Sequence, residues 1–462
     1  MALNALGRHL ALIGFMGAGK TTIAPELGQR LDRQVVEIDA GLPVGRLFGT
    51  QGEQAFRVQE ARRVLEALDR RRPAVIDPGG GAIKSPSVRE VLALTAFTLL
   101  LDVDASTAWE RCAGSDRPLA QNEEQFRTLH AERQPLYHAA ADAVVASGDV
   151  DGAVLAAAGV HHEVGALERL GWLVPGEGPV ALVADATVMG IHGANAQTAL
   201  GDRLTSVHEL PAGEGAKRQA VLERLWSELR LDRDGTLVAL GGGVTTDVAG
   251  LAAATYLRGI PWVAVPTTLV GQVDAGIGGK TAIDIPEGKN LVWAFHWPAR
   301  VVIDEAVLAT LPERERRQGE AERLKTELLA GRPLDVRGAA AYKAGLCLRD
   351  PHDTGPRRWL NLGHTFAHAL EAAAGFELPH GEAVALGLLA ALRLSGRDDS
   401  TVVDALDPQP VAVDRERAWE ALLRDKKRSD GEINLVLLGD DGPLVEARPA
   451  AEVRAALDTL IR

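Results

Sequence analysis

Short apolar runs recur through the first third of the chain, each closed by glycine or by polar residues. His9–Ile13 (HLALI) is a continuous apolar run of the kind found in buried parallel strands, and a glycine-rich turn follows it. Ile23–Leu31 then reads as a helix. Val35–Ile38, Ala74–Ile76 and Phe97–Leu101 read as further strands with helical stretches between them. Alternating strands and helices predict an α/β fold, a parallel sheet covered on both faces. The stretch Gly171–Pro179 (GWLVPGEGP) is rich in glycine and proline, which punctuate domains, so a linker is expected over 160–179. A second α/β pattern begins at Val180–Ala184 and continues through Leu237–Leu240, a glycine triplet and a helix over Val244–Tyr256. From Pro312 the pattern is helical, with Ala-rich and Leu-rich faces. The expected division is one domain over 1–159, the linker, an α/β subdomain over 180–311 and an all-helical subdomain over 312–462.

Length agrees with that division: 462 residues correspond to roughly three domains at about 150 residues each. Aromatics are only 4% of the chain, so the cores must rest on Leu, Val and Ala. The net charge of -13 argues against nucleic-acid binding, which needs a basic face, while leaving room for local basic pockets that take small anions. Cys112 and Cys347 are too few for a disulfide framework or a Cys-rich zinc site, which suits a reducing compartment. The apolar start leads straight into a glycine motif without a cleavage-site pattern, and no apolar run reaches about 18 residues. A cytoplasmic enzyme without membrane contact is expected.

Gly14–Thr21 (GFMGAGKT) matches the phosphate-loop pattern without a mismatch, between a strand and a helix. There Gly14, Gly17, Ala18 and Gly19 turn backbone N–H groups toward phosphates, the helix start (Thr22 included) adds positive potential, Lys20 reaches the terminal phosphates and Thr21 can ligate Mg²⁺. Glu37 and Asp39 end the second strand, Gly79–Gly81 follows the third, and Arg57 and Arg133 could clamp a carboxylate. Each taken singly reads more readily as a surface charge or a turn glycine; together they describe a small acceptor with hydroxyls and a carboxylate. On GFMGAGKTT, Glu37 and Asp39, GEQAFRVQE, GGGA, Asp116–Leu119 (DRPL) and Arg133–Tyr137 (RQPLY), this unit resembles shikimate kinase. The resemblance implies that Asp39, Arg57, Gly79, Gly80, Gly81 and Arg133 hold shikimate, and that Arg117 closes over the phosphates of Mg·ATP as part of a lid. Glu37 stands where that family usually has Asp, and the interval from Asp39 to Arg57 is several residues shorter.

In the second unit, Gly241–Gly243 follows a strand and opens a helix, a place for a pyrophosphate, though it is not the G-x-G-x-x-G fingerprint. His364 and His368 share a helical face, and His380 follows, three histidines between positions 364 and 380. Each alone reads as a helix-face residue; clustered, with Glu322 elsewhere, they also suit a catalytic metal with one open position. Lys280, Lys289, Lys325, Lys343, Arg357, Lys426 and Lys427 lie beside glycines or helix ends, as a pocket for phosphate and carboxylate requires. The run GGGVTTDVAGLAAATYLRGIPWVAVPTTLVGQVDAGIGGKTAIDIPEGKN, with TLPERE, NLGHTFAHALE and HGEAVALG, makes the region from Pro179 onward similar to 3-dehydroquinate synthase. That likeness implies zinc or Co²⁺ held by Glu322, His364 and His380, with His368 facing the substrate rather than the ion. It implies substrate contacts from Asp274, Lys280, Lys289, Asn290, Lys325, Lys343, Arg357 and His368, with Lys426 and Lys427 as further cations and Arg258 reaching phosphate across a dimer interface. It implies an NAD site lined by Asp185, Glu214, Lys217, Gly242, Gly243, Asp247, Thr267, Thr268 and Thr310. Thr246 replaces a common glycine, Glu327 stands in a more apolar place, and the interval from Lys325 to Lys343 is shorter by a few tens of residues.

The reactions so implied are ATP-dependent phosphorylation of shikimate, and conversion of 3-deoxy-arabino-heptulosonate 7-phosphate to 3-dehydroquinate with phosphate release and no net redox change. Alternatives at this stage are other polyol acids or sugar phosphates on the same folds, or one unit kept as a non-catalytic regulator.

Overall fold

In the computed structural model, residues 4–38, 44–115, 119–425 and 431–462 are described, with side chains described outside 44–53 and 425. Asp39, Arg117, Lys426 and Lys427 lie outside the described residues. The chain divides into two compact units. One is Met1–His161 with Ala344–Arg349, and the other is His162–Lys343 with Asp350–Arg462.

The first unit alternates β1 (His9–Ile13), α1 (Lys20–Leu31), β2 (Val35–Glu37), α2 (Val44–Leu68), β3 (Val75–Asp77), α3 (Pro86–Thr95), β4 (Ala96–Asp102), α4 (Ala105–Cys112), α5 (Glu123–Ala140), β5 (Ala143–Ala146) and α6 (Val150–Ala157). The five strands form a parallel sheet in the order β2-β3-β1-β4-β5. β1 lies in the middle and is buried throughout, as its uninterrupted apolar sequence requires of a strand covered on both faces.

The second unit continues with β6 (Val160–His162), where the boundary between the units falls, a one-turn helix α7 (Leu170–Leu173), β7 (Val180–Asp185), α8 (Ala186–Leu200), β8 (Leu204–Leu210), α9 (Gln219–Glu228), β9 (Thr236–Gly241), α10 (Gly243–Thr255), β10 (Trp262–Pro266), the hairpin β11 (Lys280–Ile285) and β12 (Gly288–Phe295), and β13 (Arg300–Ile303). Its main sheet has the order β6-β13-β10-β9-β7-β8, and its inner pairings are parallel. Helices follow: α11 (Glu313–Ala330), α12 (Val336–Arg349), α13 (His364–Ala373), α14 (His380–Leu394), α15 (Ser400–Leu406) and α16 (Arg415–Asp425). The chain then forms β14 (Glu432–Gly439), β15 (Gly442–Pro449) and α17 (Ala450–Asp458). α14 is buried on nearly every side, which its unbroken run of Ala, Val, Leu and Gly permits and a two-faced helix could not. No helix among the described residues is long and apolar enough to cross a membrane.

Two expectations change. The interval 160–179 is not an open linker: it contributes the edge strand β6, and Leu167, Leu170, Leu173 and Val174 join the core under the six-stranded sheet. Its glycines and prolines mark a local turn after a short amphipathic stretch. The C-terminal part is helical except for the antiparallel hairpin β14–β15, whose Ile433, Leu435 and Leu437 alternate into the core.

Asp304, only 2% exposed, ties the 160–179 interval to the sheet. Its carboxylate accepts the N–H groups of Gly165 (2.8 Å), Leu167 (3.0 Å) and Ala306 (2.9 Å). Asp304→Ala strands three donors, that of Leu167 in a fully buried place, so a loss of about 2–4 kcal/mol is expected. Urea unfolding of the full chain, followed through loss of this unit's activity, measures it; an unchanged midpoint would show that the carboxylate does not anchor the segment.

Candidate functional sites

β1 runs into a loop whose Gly14, Gly17 and Gly19 all have positive φ, so the backbone can curl around a central space. The loop is braced from below: Arg111 of α4 donates to Gly17 O (2.9 Å) and to Ser147 Oγ (2.6 Å), and Ser147 donates to Ala18 O (3.0 Å). Thr22 N–H donates to Gly19 O (3.1 Å), which closes the first turn of α1. Lys20 is 8% exposed and folds back across the loop, donating to Gly14 O (2.9 Å) and Phe15 O (3.2 Å). Thr21, one residue on, donates its hydroxyl to Asp77 Oδ2 (3.0 Å) at the end of β3.

The glycine run after β3 sits directly beside this loop. A Cβ on Gly80 would lie 3.5 Å from Gly14 O. Two guanidinium groups converge on the run. Arg57 lies so close to Gly81 that a Cβ there would sit 1.7 Å from Nη1, so a side chain at this position would push the guanidinium out of its place. Arg57 is held by Glu60 Oε2 at 2.7 Å. Arg133 is 4% exposed, donates from Nη1 to Gly80 O (3.4 Å), and its buried Nε has no hydrogen-bond partner among the described residues. An unsatisfied buried guanidinium nitrogen is the complement of an anionic ligand oxygen. Tyr137 fixes the run from the other side, donating to Gly80 O at 2.5 Å; burial pushes its phenol up to about 12.

In the second unit, three helices bring Glu322 of α11, His364 of α13 and His380 of α14 together, with one ligand atom from each lying within 4.8 Å of the others. Both imidazoles aim Nε2 at the same oxygen, Glu322 Oε1, His380 at 2.9 Å and His364 at 3.3 Å. Close helix approach makes this possible: a Cβ on Gly381 would lie 2.4 Å from Gln318 Cα, so a side chain there would push α14 off α11. Nitrogens converging on one carboxylate oxygen share either protons or a cation with it. Two imidazoles, one carboxylate and an open side are a donor set that suits zinc in a catalytic role. His368, one turn along α13, is outside this set, its ring 5.5 Å from that of His364. On the far side of His380, Nδ1 lies 3.3 Å from Glu371 Oε1, a buried carboxylate of the kind that orients a ligating imidazole.

Lys325 adjoins the cluster, and Lys343 meets it through Asp274. Lys325 is 1% exposed and pairs with Glu322 Oε2, with Asp274 Oδ1 at 3.6 Å. Lys343 reaches Asp274 Oδ1 at 2.7 Å. Burial raises the Asp274 carboxyl, but Lys343 and Lys325 outweigh it and bring it down to about 2. The shortened interval between these lysines therefore still delivers both to one carboxylate. Glu327 explains how: its Oε1 accepts the Leu334 N–H (2.8 Å) and pairs with Arg323, which holds the compact turn between α11 and α12. Lys280 pairs with Asp353, and buried Arg357 donates to Gly278 O at 2.9 Å. Lys289 lies 3.3 Å from Glu214 and over the ring of Phe376. Asn290 accepts a hydrogen bond from Lys217.

The dinucleotide candidates gather at the C-terminal ends of β7, β9 and β10, beyond which ligands bind in open α/β sheets. Asp185 ends β7, caps α8 and accepts from Thr245 at 3.2 Å. Gly242 caps α10 and Gly243 begins it. Lys217 holds Asp247 at 2.8 Å; burial pushes the Lys217 ammonium down, and Asp247 with Glu214 and Asp284 more than reverses it. Thr267 N–H donates to Gly241 O (3.0 Å), Thr268 accepts the Gly271 N–H (3.1 Å), and Thr310 lies 2.9 Å from His192 Nε2. Arg258 stands apart from this crevice's strand ends, exposed in a turn where it and Leu257 have positive φ.

Asp77 and Asp353 fall in no motif, and Glu371 closes the NLGHTFAHALE stretch without being singled out by it. Each is a single carboxylate whose partner sits on another element. Only the strand-end place of Asp77 was a usable signal.

Comparison with known proteins follows the same division. The shikimate kinase family model matches residues 16–158, and the 3-dehydroquinate synthase N-terminal and C-terminal models match 207–318 and 301–428. A 3-dehydroquinate synthase of Bordetella pertussis is 40% identical over 346 residues, covering 66% of this chain and 96% of that protein. One from Symbiobacterium thermophilum is 39% identical over 348 residues, with the same coverage of each. Among solved structures, 2-epi-5-epi-valiolone synthase from Streptomyces hygroscopicus subsp. jinggangensis 5008, with NAD⁺ and Zn²⁺ bound, is similar with a TM-score of 0.53 and 27% identity. The match covers 65% of this chain and 96% of that one.

Proposed function

Because the chain belongs to the 3-dehydroquinate synthase family and carries a shikimate kinase unit ahead of it, we propose that the two clusters are two active sites on one polypeptide. The protein is a bifunctional chorismate-pathway enzyme. It phosphorylates shikimate with ATP, and it converts 3-deoxy-D-arabino-heptulosonate 7-phosphate to 3-dehydroquinate with release of phosphate. The observation that carries the synthase reading is the meeting of Glu322, His364 and His380 beside buried Lys325. A different sugar phosphate is not favoured, since the relatives matched over 346–348 residues at 39–40% identity are 3-dehydroquinate synthases, whereas a putative aminodehydroquinate synthase of Amycolatopsis mediterranei, 42% identical, matches over 274 residues only, and the valiolone synthase stands at 27%.

In the kinase unit, Lys20 and the loop N–H groups take the ATP phosphates, while Arg57, Arg133 and the Gly79–Gly81 run hold the acceptor, for which Asp39 is a further candidate. Mg²⁺, when bound with ATP, neutralises phosphate charge. Arg133 offers its free Nε to the shikimate carboxylate. Catalysis here is positioning and charge compensation, and Arg117 closes the site against water.

In the synthase unit, Glu322, His364 and His380 hold zinc, which supplies polarisation of a substrate hydroxyl. NAD, lined by Asp185, Glu214, Lys217, Gly242, Gly243, Asp247, Thr267, Thr268 and Thr310, supplies a transient hydride acceptor. Lys280, Lys289, Asn290, Lys325, Lys343, Arg357 and His368 bind the carboxylate, hydroxyls and phosphate, with Lys426 and Lys427 as further cations. Asp274 keeps Lys325 and Lys343 charged and pointed inward, so the cations need not reorganise when substrate arrives.

The synthase unit pairs as a homodimer in this reading. Exposed Leu291, Val292 and Trp293 on β12 support an apolar contact, and Arg258 would reach a neighbour's phosphate site. Cytoplasmic residence suits ATP and NAD as partners and two buried cysteine thiols.

A paired assay tests both activities. Purified protein is expected to phosphorylate shikimate with Mg·ATP, and to release phosphate from the heptulosonate phosphate only with NAD and a divalent metal. Phosphate release that persists after exhaustive chelation would remove the zinc assignment.

A further inference from the structure

β13 lies beside β10 in parallel, so the 3-10 turn that follows it, Glu305–Thr310, leaves the sheet at the same end as Thr267 and Thr268 after β10. α8, the helix that Asp185 caps, carries His192 in its second turn, 9% exposed. His192 Nε2 lies 2.9 Å from the Thr310 hydroxyl oxygen, and the same hydroxyl donates to Val307 O at 2.9 Å. One imidazole thus ties the helix capped by one dinucleotide candidate to another candidate. A threonine hydroxyl has one proton and two lone pairs. Its proton goes to Val307, so both bonds stand together only when Nε2 carries the imidazole's proton and donates it. Burial pushes the His192 imidazolium down, and the Asp304 carboxylate offsets only part of this, so the ring is neutral at pH 7 with its single proton on Nε2. Thr310, itself exposed, is left with one lone pair and no proton to give.

We infer that His192 is a positioning residue of the dinucleotide site: it locks the Thr310 hydroxyl as a pure acceptor for an O–H or N–H of NAD. This deepens the synthase reading and rests on the place of Thr310 in it. The imidazole acts only through the hydroxyl. A hydroxyl held by one partner spreads over several rotamers and can turn its proton toward the ligand's donor, where proton faces proton. Held by two, it meets the ligand without reorganising, and the ordering has been done before NAD arrives.

The test is a double-mutant cycle on the full chain, read by calorimetric titration with NAD. His192→Phe is expected to weaken NAD binding by about 3–10-fold, the size of one net hydrogen bond, with kcat at saturating NAD within about twofold of wild type. His192→Gln, whose amide N–H can serve the same hydroxyl, should restore the affinity. In a Thr310→Val background, His192→Phe should have no further effect, because the group it acts through is gone. Equal losses from His192→Phe in both backgrounds would overturn the inference and leave His192 as packing between α8 and the turn before α11. If His192→Phe does not fold, His192→Met carries the same expectations. Repeating the cycle with the hypoxanthine analogue of NAD sorts the donor. Coupling kept there assigns a ribose or carboxamide group, coupling lost assigns the adenine amine, and either supports the acceptor role. Wild-type protein that binds no NAD overturns the dinucleotide reading and this inference with it. Wild-type protein that binds NAD but releases no phosphate from the heptulosonate phosphate defeats only the synthase reading, and the cycle still decides the place of His192.

Discussion

Glu322→Gln is expected to abolish zinc binding and lower the synthase rate by about 10³-fold or more while leaving shikimate phosphorylation unchanged. Glu322 is 1% exposed and its Oε1 is the point on which His364 and His380 converge. Burial alone would raise its carboxyl, yet Lys325 and the two imidazoles hold it well below the ordinary carboxylate range, so it stays anionic. An amide of the same shape removes that charge and turns one oxygen into a donor facing two nitrogens. Lewis-acid polarisation contributes several kcal/mol to such reactions, and about 4 kcal/mol corresponds to a thousandfold in rate. A second consequence separates this from a simple ligand loss. Lys325 is also 1% exposed and loses its partner at Oε2, keeping Asp274 at 3.6 Å among the described residues. Breaking a buried pair leaves an uncompensated charge, so the synthase unit should lose up to about 3 kcal/mol. Zinc content by atomic emission, kinetics of both reactions and thermal unfolding check the three parts together. A variant that retains stoichiometric zinc would show that the ion, if bound, is held elsewhere.

Much of this arrangement could be read from residues. β1, β4, β7 and β9 are buried parallel strands, and the uninterrupted apolar sequence of such strands, closed by glycine or Asp, is the strongest local signal available. The phosphate loop carries its chemistry in contiguous residues, so its placement follows from the motif. What escaped notice depends on long-range meeting. Glu371 is an ordinary helix-face acid until α14 brings His380 against it, and Asp353 gains meaning only from Lys280, which β11 delivers. The interval 160–179 misled because Pro175, Gly176 and Gly178 dominate its composition, while Leu167, Leu170 and Leu173 at three-residue spacing show an amphipathic turn. The hairpin at the C-terminus was legible in the alternation of Ile433, Leu435 and Leu437 and the Asp440–Asp441 turn, but the preceding helices made a helical reading the default.

Lys20→Met should reduce shikimate phosphorylation by at least about 10²–10³-fold and leave dehydroquinate formation at its wild-type rate. The lysine is the cation the loop aims at the terminal phosphates, and its place is preset: Nζ is held by Gly14 O and Phe15 O, within the loop that the phosphates enter. Removing one preorganised donor to a developing charge costs on the order of 3–4 kcal/mol, which sets the size of the effect. Methionine matches the aliphatic stem, which is buried, so packing survives; two carbonyls lose a donor, and a destabilisation of about 1 kcal/mol is expected. The second half of the expectation follows from the fold. Lys20 and its contacts belong to the unit of Met1–His161, and the metal triad with its lysines belongs to the other, each with its own parallel sheet. Substitutions that share no partner act additively, so a charge lost at Lys20 is expected to leave the rate at the metal triad unchanged. Assaying both reactions on one preparation makes the comparison internal. A parallel fall in both would mean that the two catalysts are coupled, and a kinase rate within a factor of ten of wild type would mean that Lys20 does not hold the transferred phosphoryl group.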